Sequence, residues 1–413
     1  MKTSAFKLLA PVLVATLVGG GWLLANPDEV SPPAEPPLAD VAPTNSATPA
    51  PIASFVTRGL EWLVQAQHPN GGWGAGSHAA QQVRDPHAVV TDPATTAFAG
   101  MALLRCGHTP VSGEYSDNVR RAVERLVAMV EAAPREGPRV TDVQGTQPQA
   151  KLGDLVDTPM TLQFLSRALP HLPADDPLAE RVGGAMDTCA SKLVNSMQAN
   201  GSWGNAGWAG VLQSSASFNA LEAASASGRV DVDLATLERA RGYQQDNTNM
   251  EDGRADASEA AGVELYAFAA SARANAPEVG EARERIRLAI AEGKLDAHAE
   301  LNRENLIVAG AEGERASVLM DAVTRSAAQF GRLGEEQLLS GFGNNGGEEF
   351  LSYMLTSESL LIAGGAEWSD WNAKMHRLLS AVQNPDGSWS GHHCISSPVF
   401  CTAAAVQCLT VDQ

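Results

Sequence analysis

Two acidic residues stand side by side where a glycine-rich segment, residues 343–347, meets an apolar stretch. These are Glu348 and Glu349. Two carboxyl groups in a cleft can act as general acid and base, as in the cleavage of sugars or polyuronates. Successive helical residues point about 100° apart, so both cannot face one small site equally well. The alternative role is pairing with the positive end of a helix dipole. Asp157, at the predicted start of another apolar helix, is a third candidate acid.

A second cluster combines imidazole and thiol groups near the C-terminus. His392, His393 and Cys394 are consecutive, and Cys401 follows seven positions later. Thiolates and imidazoles suit zinc, so one prediction is a zinc site built from these four residues. A disulfide between Cys394 and Cys401 fits an exported protein equally well. A third reading is unpaired thiols and packed imidazoles, and the sequence leaves all three open.

The composition excludes some classes of partner. The chain has 413 residues, a net charge of −19, 44% hydrophobic residues and 5% aromatic residues. Nucleic-acid binding needs clustered Lys and Arg, so we expect no nucleic-acid partner. The same charge argues against electrostatic docking on anionic lipid. No Ser-His-Asp motif, phosphate-binding loop or nucleotide fingerprint is present.

The first 25 residues are typical of an export signal or membrane anchor. Lys2 and Lys7 precede an almost uncharged run over residues 8–25, which is long enough to span a bilayer. No clean small-residue cleavage site follows, which favours an uncleaved anchor. Residues 26–53, rich in Pro, Ala and acidic side chains, predict an extended linker. We therefore expect residues 54–413 to form an exported domain, periplasmic or at the cell surface.

The elements that would position these groups are predicted by an internal repeat. A Gln, a glycine turn and a Trp recur three times: Gln67 to Trp73, Gln198 to Trp203, and Gln383 to Trp389. Each copy ends an amphipathic stretch and leads to an alanine-rich apolar one, which predicts hairpins of one exposed and one buried helix. We predict six or seven such hairpins and an all-α fold. Closing the row into a ring would avoid exposed ends. After a first pair opened by residues 54–67, the predicted pairs are 116–132 with 158–171, 178–198 with 211–226, 233–246 with 256–272, a weaker 278–293 with 299–309, 314–330 with 348–364, and 368–383 with 398–411.

The repeated motif, with the apolar segments after it, resembles the repeat of squalene–hopene cyclases and protein prenyltransferase β-subunits over roughly residues 54–411. The resemblance implies an α/α toroid, with the motif Gln and Trp residues bracing the junctions between hairpins. It also implies an isoprenoid or other lipid as ligand. The catalytic signatures of those enzymes are incomplete here. The Asp-rich acid motif is reduced to Asp231 and Asp233, which fit a helix start, and the Asp-x-Cys part of the zinc triad is absent.

Two functions therefore remain open from the sequence. The first is an isoprenoid- or lipid-handling toroid whose catalysis is uncertain. The second is a toroid that binds glycans or peptides at the cell surface, or acts on polysaccharide. A deep apolar cavity would favour the first function and would count against the second.

Overall fold

The computed structural model describes residues 51–204, 207–342 and 346–413. Within these ranges the chain forms helices joined by turns and loops, with two isolated backbone bridge pairs and no β-strand. The protein is therefore all-α, as the sequence predicts. No helix among the residues described has both the length and the apolar composition needed to cross a membrane. The predicted leader, residues 1–25, and residues 26–50 of the predicted linker lie outside the described residues.

The twelve longer α-helices of the described residues fall into two sets that alternate along the chain, and three short helices belong to neither set. Six core helices are buried over most of their surface, and six cover helices bury one face. The bounds of all α-helices are α1 (Ser54–Gln65), α2 (Pro93–Arg105), α3 (Ser116–Ala132), α4 (Gln147–Lys151), α5 (Asp157–Ala168), α6 (Pro177–Ser196), α7 (Gly210–Ala226), α8 (Leu234–Asp246), α9 (Glu264–Ala291), α10 (Arg303–Val308), α11 (Gly313–Phe330), α12 (Glu336–Leu339), α13 (Gly347–Ala363), α14 (Glu367–Ala381) and α15 (Pro398–Leu409). The core helices are α2, α5, α7, α9, α13 and α15, and the cover helices are α1, α3, α6, α8, α11 and α14.

The core helices pack side by side in cyclic order. Helix α2 contacts α5, then α5 contacts α7, α7 contacts α9, α9 contacts α13, α13 contacts α15, and α15 contacts α2 again. Five cover helices pack on the core helix that precedes them in the chain: α3 on α2, α6 on α5, α8 on α7, α11 on α9 and α14 on α13, and α8 also packs on α9. Helix α1 has no preceding core helix, and it packs mainly on α15. The two ends of the domain are therefore in contact.

Polar residues at the helix starts explain where several elements begin. Asp92 caps α2, accepting hydrogen bonds from the backbone and hydroxyl of Thr95, and Pro93 occupies the first helical position. Asp233 caps α8 in the same manner, accepting from the Ala235 N–H at 2.9 Å. The shortened Asp motif at 231–233 thus supplies a helix cap.

One predicted helix boundary is wrong. The sequence predicts a break between residues 272 and 278, but α9 runs as one helix of 28 residues with Pro277 inside it. A proline in a helix interior removes one hydrogen bond, and packing can offset that loss. Here the flanking Ala276 and Glu278 are buried, and Ala282 and Ile286 pack with α10 and α11 in a second small apolar cluster. The predicted hairpin 278–293 with 299–309 is therefore the end of α9 followed by the short α10.

The three motif tryptophans occupy equivalent positions. Each is fully buried, and each indole N–H donates to the backbone carbonyl ten residues earlier at 2.8 Å. Each backbone N–H donates to a hydroxyl on the following core helix. The motif therefore joins a cover helix to the core helix after it. The tryptophans and their acceptor residues are Trp73 with Leu63, Trp203 with Leu193, and Trp389 with Leu379.

The motif glycines contact the next cover helix. Gly71 has a φ of +85°, and a Cβ there would lie 2.5 Å from the backbone oxygen of Arg121 on α3. Gly387, with a φ of +94°, approaches Arg58 on α1 in the same manner, with a corresponding distance of 2.8 Å. Both the backbone conformation and the close approach require glycine.

Candidate functional site at the amino ends of the core helices

The amino ends of the core helices meet at one end of the domain. Hydrogen bonds link the first turns of these helices with each other, with loop residues just before α5 and α15, and with the short α4, so these parts of the chain lie at one level. The bonds are Ala94 N to Asp157 Oδ1 (3.0 Å), Leu155 N to Gln213 Oε1 (2.7 Å), Tyr266 OH to Glu349 Oε1 (2.6 Å), Ile395 N to Glu348 Oε2 (3.1 Å) and Ser396 N to Gln147 Oε1 (2.7 Å). All three carboxyl groups predicted as catalytic candidates lie in this girdle.

Asp157 acts there as a brace between helices. One carboxyl oxygen accepts from the Ala94 N–H of α2 and the other from Gln149 Nε2 at 2.6 Å. Neighbouring Asp92 is fully buried, with both oxygens occupied by Thr95 and by the Ala75 N–H at 2.9 Å. Burial, followed by repulsion from Asp157, raises the pKa of Asp92 to about 7, and burial also raises the pKa of Asp157. Neither side chain has an oxygen left for a substrate.

Both carboxyl oxygens of Glu349 also accept hydrogen bonds from the protein. Its Oε1 accepts from the Tyr266 hydroxyl at 2.6 Å and from the Phe342 N–H at 3.1 Å, and its Oε2 accepts from the Gly346 N–H at 2.8 Å. It therefore closes the first turn of α13 and ties that turn to α9.

Glu348 differs from its neighbour. It is fully buried, and its Oε2 accepts from the Ile395 N–H, whereas no N–H or O–H of a described residue donates to Oε1. Burial, followed by the charge of Glu349, raises the pKa of Glu348 to about 7. A carboxyl group with that pKa is substantially protonated at neutral pH, so it can donate a proton or a hydrogen bond. Of the three predicted acids, Glu348 is the one that combines a raised pKa with a carboxyl oxygen to which no N–H or O–H of a described residue donates.

The cysteines of the predicted metal cluster lie beside Glu348. Cys394 has a φ of +58°, a conformation that non-glycine residues rarely adopt, and its thiol interacts with the Glu348 carboxyl group. Burial raises the pKa of the Cys394 thiol to about 12 and also raises the pKa of Cys401. The Cys401 Sγ lies 3.5 Å from the Ile395 carbonyl oxygen. The two thiols are free and form no disulfide in this structure.

The two histidines differ in exposure and in the residues around them. His392 is exposed and lines a surface groove of about 440 Å³ with Trp62, Arg84 and Asp386. His393 is half-buried, and its ring lies 5.3 Å from that of Phe342. Within the part of the chain that the structure describes, no three His, Cys, Asp or Glu side chains form a group that could hold a metal ion. His392, His393, Cys394 and Cys401 are thus near one another in sequence without converging as four ligands.

An aromatic row, defined as Trp208, Phe342 and His393, runs along the same end of the domain. The Trp208 and Phe342 rings meet edge to face at 5.6 Å, and Phe342 meets His393 at 5.3 Å. Phe342 is 53% exposed and Trp208 is 36% exposed. The ammonium group of Lys151 lies 4.5 Å from the centre of the Trp208 ring, within range of a cation–π interaction. The row adjoins Cys394 and Glu348 through His393.

Sequence reasoning did not identify Trp208, Phe342 or Lys151. Each lies in or beside a loop that precedes a core helix, and the three are far apart in the chain. Isolated exposed aromatic residues are ordinary on protein surfaces. Only the meeting of the loops makes these three a continuous surface, and no local signal predicts that meeting.

Neither a family model nor a curated protein matches the chain. We therefore infer its function from the contacts of the site itself.

Proposed function

We propose that the domain is an α/α toroid whose opening at the amino ends of the core helices binds a glycan. The cyclic contacts of the core helices support the toroid, as does the packing of α1 on α15. The repeated motif supports the proposed relationship to the squalene–hopene cyclase and prenyltransferase repeat, because the tryptophans of its three copies make the same contacts.

The observation that carries the proposal is the aromatic row. Sugars present an apolar C–H face that packs against an exposed aromatic ring, while their hydroxyl groups need polar partners at the edge of that ring. Phe342 and Trp208 supply rings that are a half and a third exposed. Lys151 supplies an ammonium donor beside the Trp208 ring, and His393 supplies an imidazole at the end of the row. Large exposed aromatic groups with polar neighbours are the features expected of a sugar-binding surface.

Binding fits this site better than hydrolysis. Glycoside hydrolysis generally uses two carboxyl groups that flank the scissile bond. Glu348 has an oxygen without an N–H or O–H partner among the described residues. The other carboxyl groups of the girdle, those of Asp92, Asp157 and Glu349, have both oxygens occupied by the protein. Glu348 is itself fully buried, so we propose that the aromatic row binds a sugar without cleaving it.

The isoprenoid-binding alternative stays a prediction. An apolar chain needs a cavity lined by apolar side chains, because burying it against charged groups desolvates them without compensation. The described core helices are joined by buried ion pairs: Arg105 of α2 pairs with Glu358 of α13, and Glu358 also pairs with Arg273 of α9. These contacts favour a polar ligand over an isoprenoid.

The proposal is tested by affinity electrophoresis of the full chain through gels containing neutral or acidic polysaccharides. We expect at least one polysaccharide to retard the wild type, and the retardation to be lost in Trp208→Ala and in Phe342→Ala. Trp368→Ala is the matched control, because it removes a half-buried tryptophan from α14, a cover helix. Equal retardation of all four proteins would contradict the proposed site, and no retardation by any polysaccharide would contradict glycan binding.

A further inference from the structure

A charged layer crosses the core helices well below their amino ends. We define it as Arg105, Arg167, Glu222, Arg273 and Glu358, which lie on α2, α5, α7, α9 and α13 respectively. Each is between the tenth and thirteenth residue of its helix. At 1.5 Å per residue, the layer is about 15 Å from the girdle of first turns. It is therefore separate from the aromatic row.

Four of the five members, all except Arg167, are connected by the ion pairs between helices that follow. Glu358 accepts from Arg105 and, through its other oxygen, from Arg273 Nε at 3.3 Å. Arg273 Nη2 reaches Glu222 at 3.2 Å. Beyond the layer, Arg241 of α8 lies 3.5 Å from Glu222 and 2.7 Å from Glu278. Three guanidinium groups thus share three carboxyl groups, and burial raises the pKa of Glu278, which weakens its negative charge.

Two buried donors of the layer have no acceptor among the described residues. They are Arg105 Nε and Arg273 Nη1, on the two arginines that flank Glu358. The side chains of Arg105 and Arg273 are only 11% and 7% exposed. A buried charged N–H without an acceptor loses its hydration and gains nothing in return. Such donors point to an acceptor that the protein itself does not provide.

We propose that the charged layer binds a small oxyanion, a phosphate or carboxylate group, between Arg105 and Arg273. Guanidinium groups bind both kinds of anion through paired N–H donors. The layer lies toward the carboxyl ends of the core helices, where the helix dipoles already favour these cations. Burial, followed by repulsion from Arg167 and Arg273, lowers the pKa of Arg105 to about 9, and a bound anion would relieve that repulsion.

The first test is thermal unfolding of the full chain with inorganic phosphate or malonate, each compared with chloride at constant ionic strength. We expect a saturable rise in the unfolding midpoint with at least one of the two anions. The rise should be lost in Arg273→Gln and retained in Arg229→Gln, whose arginine forms an exposed ion pair with Asp187. Phosphate alone, malonate alone or both would identify the anion chemistry. A midpoint insensitive to both anions, or an equal rise in Arg273→Gln, would overturn the proposal.

A second variant keeps the test decisive if Arg273→Gln does not fold. Glu358→Gln removes the carboxylate that competes for both arginines, while nearly preserving the side-chain shape. If the layer is an anion site, calorimetry should show phosphate or malonate binding about tenfold more tightly to Glu358→Gln than to the wild type. If the ion pairs are only structural, the variant should lose stability and gain no affinity, which would also overturn the proposal.

Discussion

Arg58 Nη2 donates a hydrogen bond of 2.7 Å to the side-chain oxygen of Gln383, which lies 325 positions later in the chain. The amide of Gln383 donates in turn to the Phe55 carbonyl oxygen at 2.7 Å. The first motif makes the equivalent contact with α3, where Arg121 Nη2 donates to Gln67 Oε1 at 2.6 Å. An arginine–glutamine hydrogen bond therefore joins the last cover helix to the first one, and a bond between the same two residue types joins α1 to α3.

Replacing Gln383 tests this closure. Gln383→Ala removes the donor to Phe55 and the acceptor of Arg58, so it should destabilise the domain by about 1–3 kcal/mol in urea unfolding. Gln67→Ala should have a comparable effect, since its contacts are equivalent. Gln82→Ala, at an exposed position, should change stability by less than about 0.5 kcal/mol. A neutral Gln383→Ala beside a destabilising Gln67→Ala would show that the two ends are not joined in solution.

The motif glycines should be far less replaceable than glycines with positive φ that have open space around them. Gly71 and Gly228 both have positive φ, but a Cβ on Gly71 would meet the backbone of Arg121, whereas a Cβ on Gly228 would meet nothing within 4 Å. Gly228→Ala should cost about 1 kcal/mol from backbone strain alone. Gly71→Ala should cost at least about 2 kcal/mol more, because α1 and α3 must separate. Comparable thermal midpoints for the two variants would contradict this packing.

The stability of the domain should depend on pH through Glu348. Its pKa rises from 4.5 in the unfolded chain to about 7 in the folded one, so the folded state binds the proton more tightly. The resulting stabilisation is complete below about pH 4.5 and is lost as the pH rises through 7. Glu348→Gln removes this loss. The variant should therefore gain stability relative to the wild type between about pH 5 and pH 8, by on the order of 3 kcal/mol. Parallel stability–pH curves for the two proteins would contradict the buried, protonated state of Glu348.

The cysteines should all be free thiols. Burial raises the pKa of Cys394 and Cys189 to about 12, so alkylation of the folded protein at pH 8 should be slow. After unfolding without reductant, thiol titration should count five thiols per chain. A count of three, with a peptide crosslinking Cys394 to Cys401, would establish the disulfide that the sequence left open.

The helical architecture could be predicted because its signals are local. Each cover helix buries one face, each core helix is rich in small and apolar residues, and the motif marks three of the turns between them. Pro277 is the instructive failure, because a local rule predicts a helix end there while packing around α9 maintains the helix. The cyclic contact of α15 with α2 could only be suggested, since no local signal specifies a contact between chain ends.

The chemistry of the candidate site was harder to predict. Glu348 and Glu349 are equivalent in sequence, and they differ in the structure because Tyr266 and two backbone N–H groups occupy one of them. Successive helical side chains point about 100° apart, so the two carboxyl groups meet different neighbours. The donors on the adjacent helix then determine which carboxyl group keeps an oxygen without a hydrogen bond. The aromatic row depends on the meeting of three loops, those before α7, α13 and α15, which the sequence does not encode locally.

The most direct test of glycan binding at the aromatic row is a calorimetric titration. The ligand is an oligosaccharide unit of the polysaccharide that most retards the full chain. We predict that Trp208→Ala binds it at least about tenfold more weakly than the wild type, as expected for a central aromatic contact, and that Trp368→Ala binds it equally well. Unchanged affinity in Trp208→Ala, with normal folding of the variant, would contradict the account.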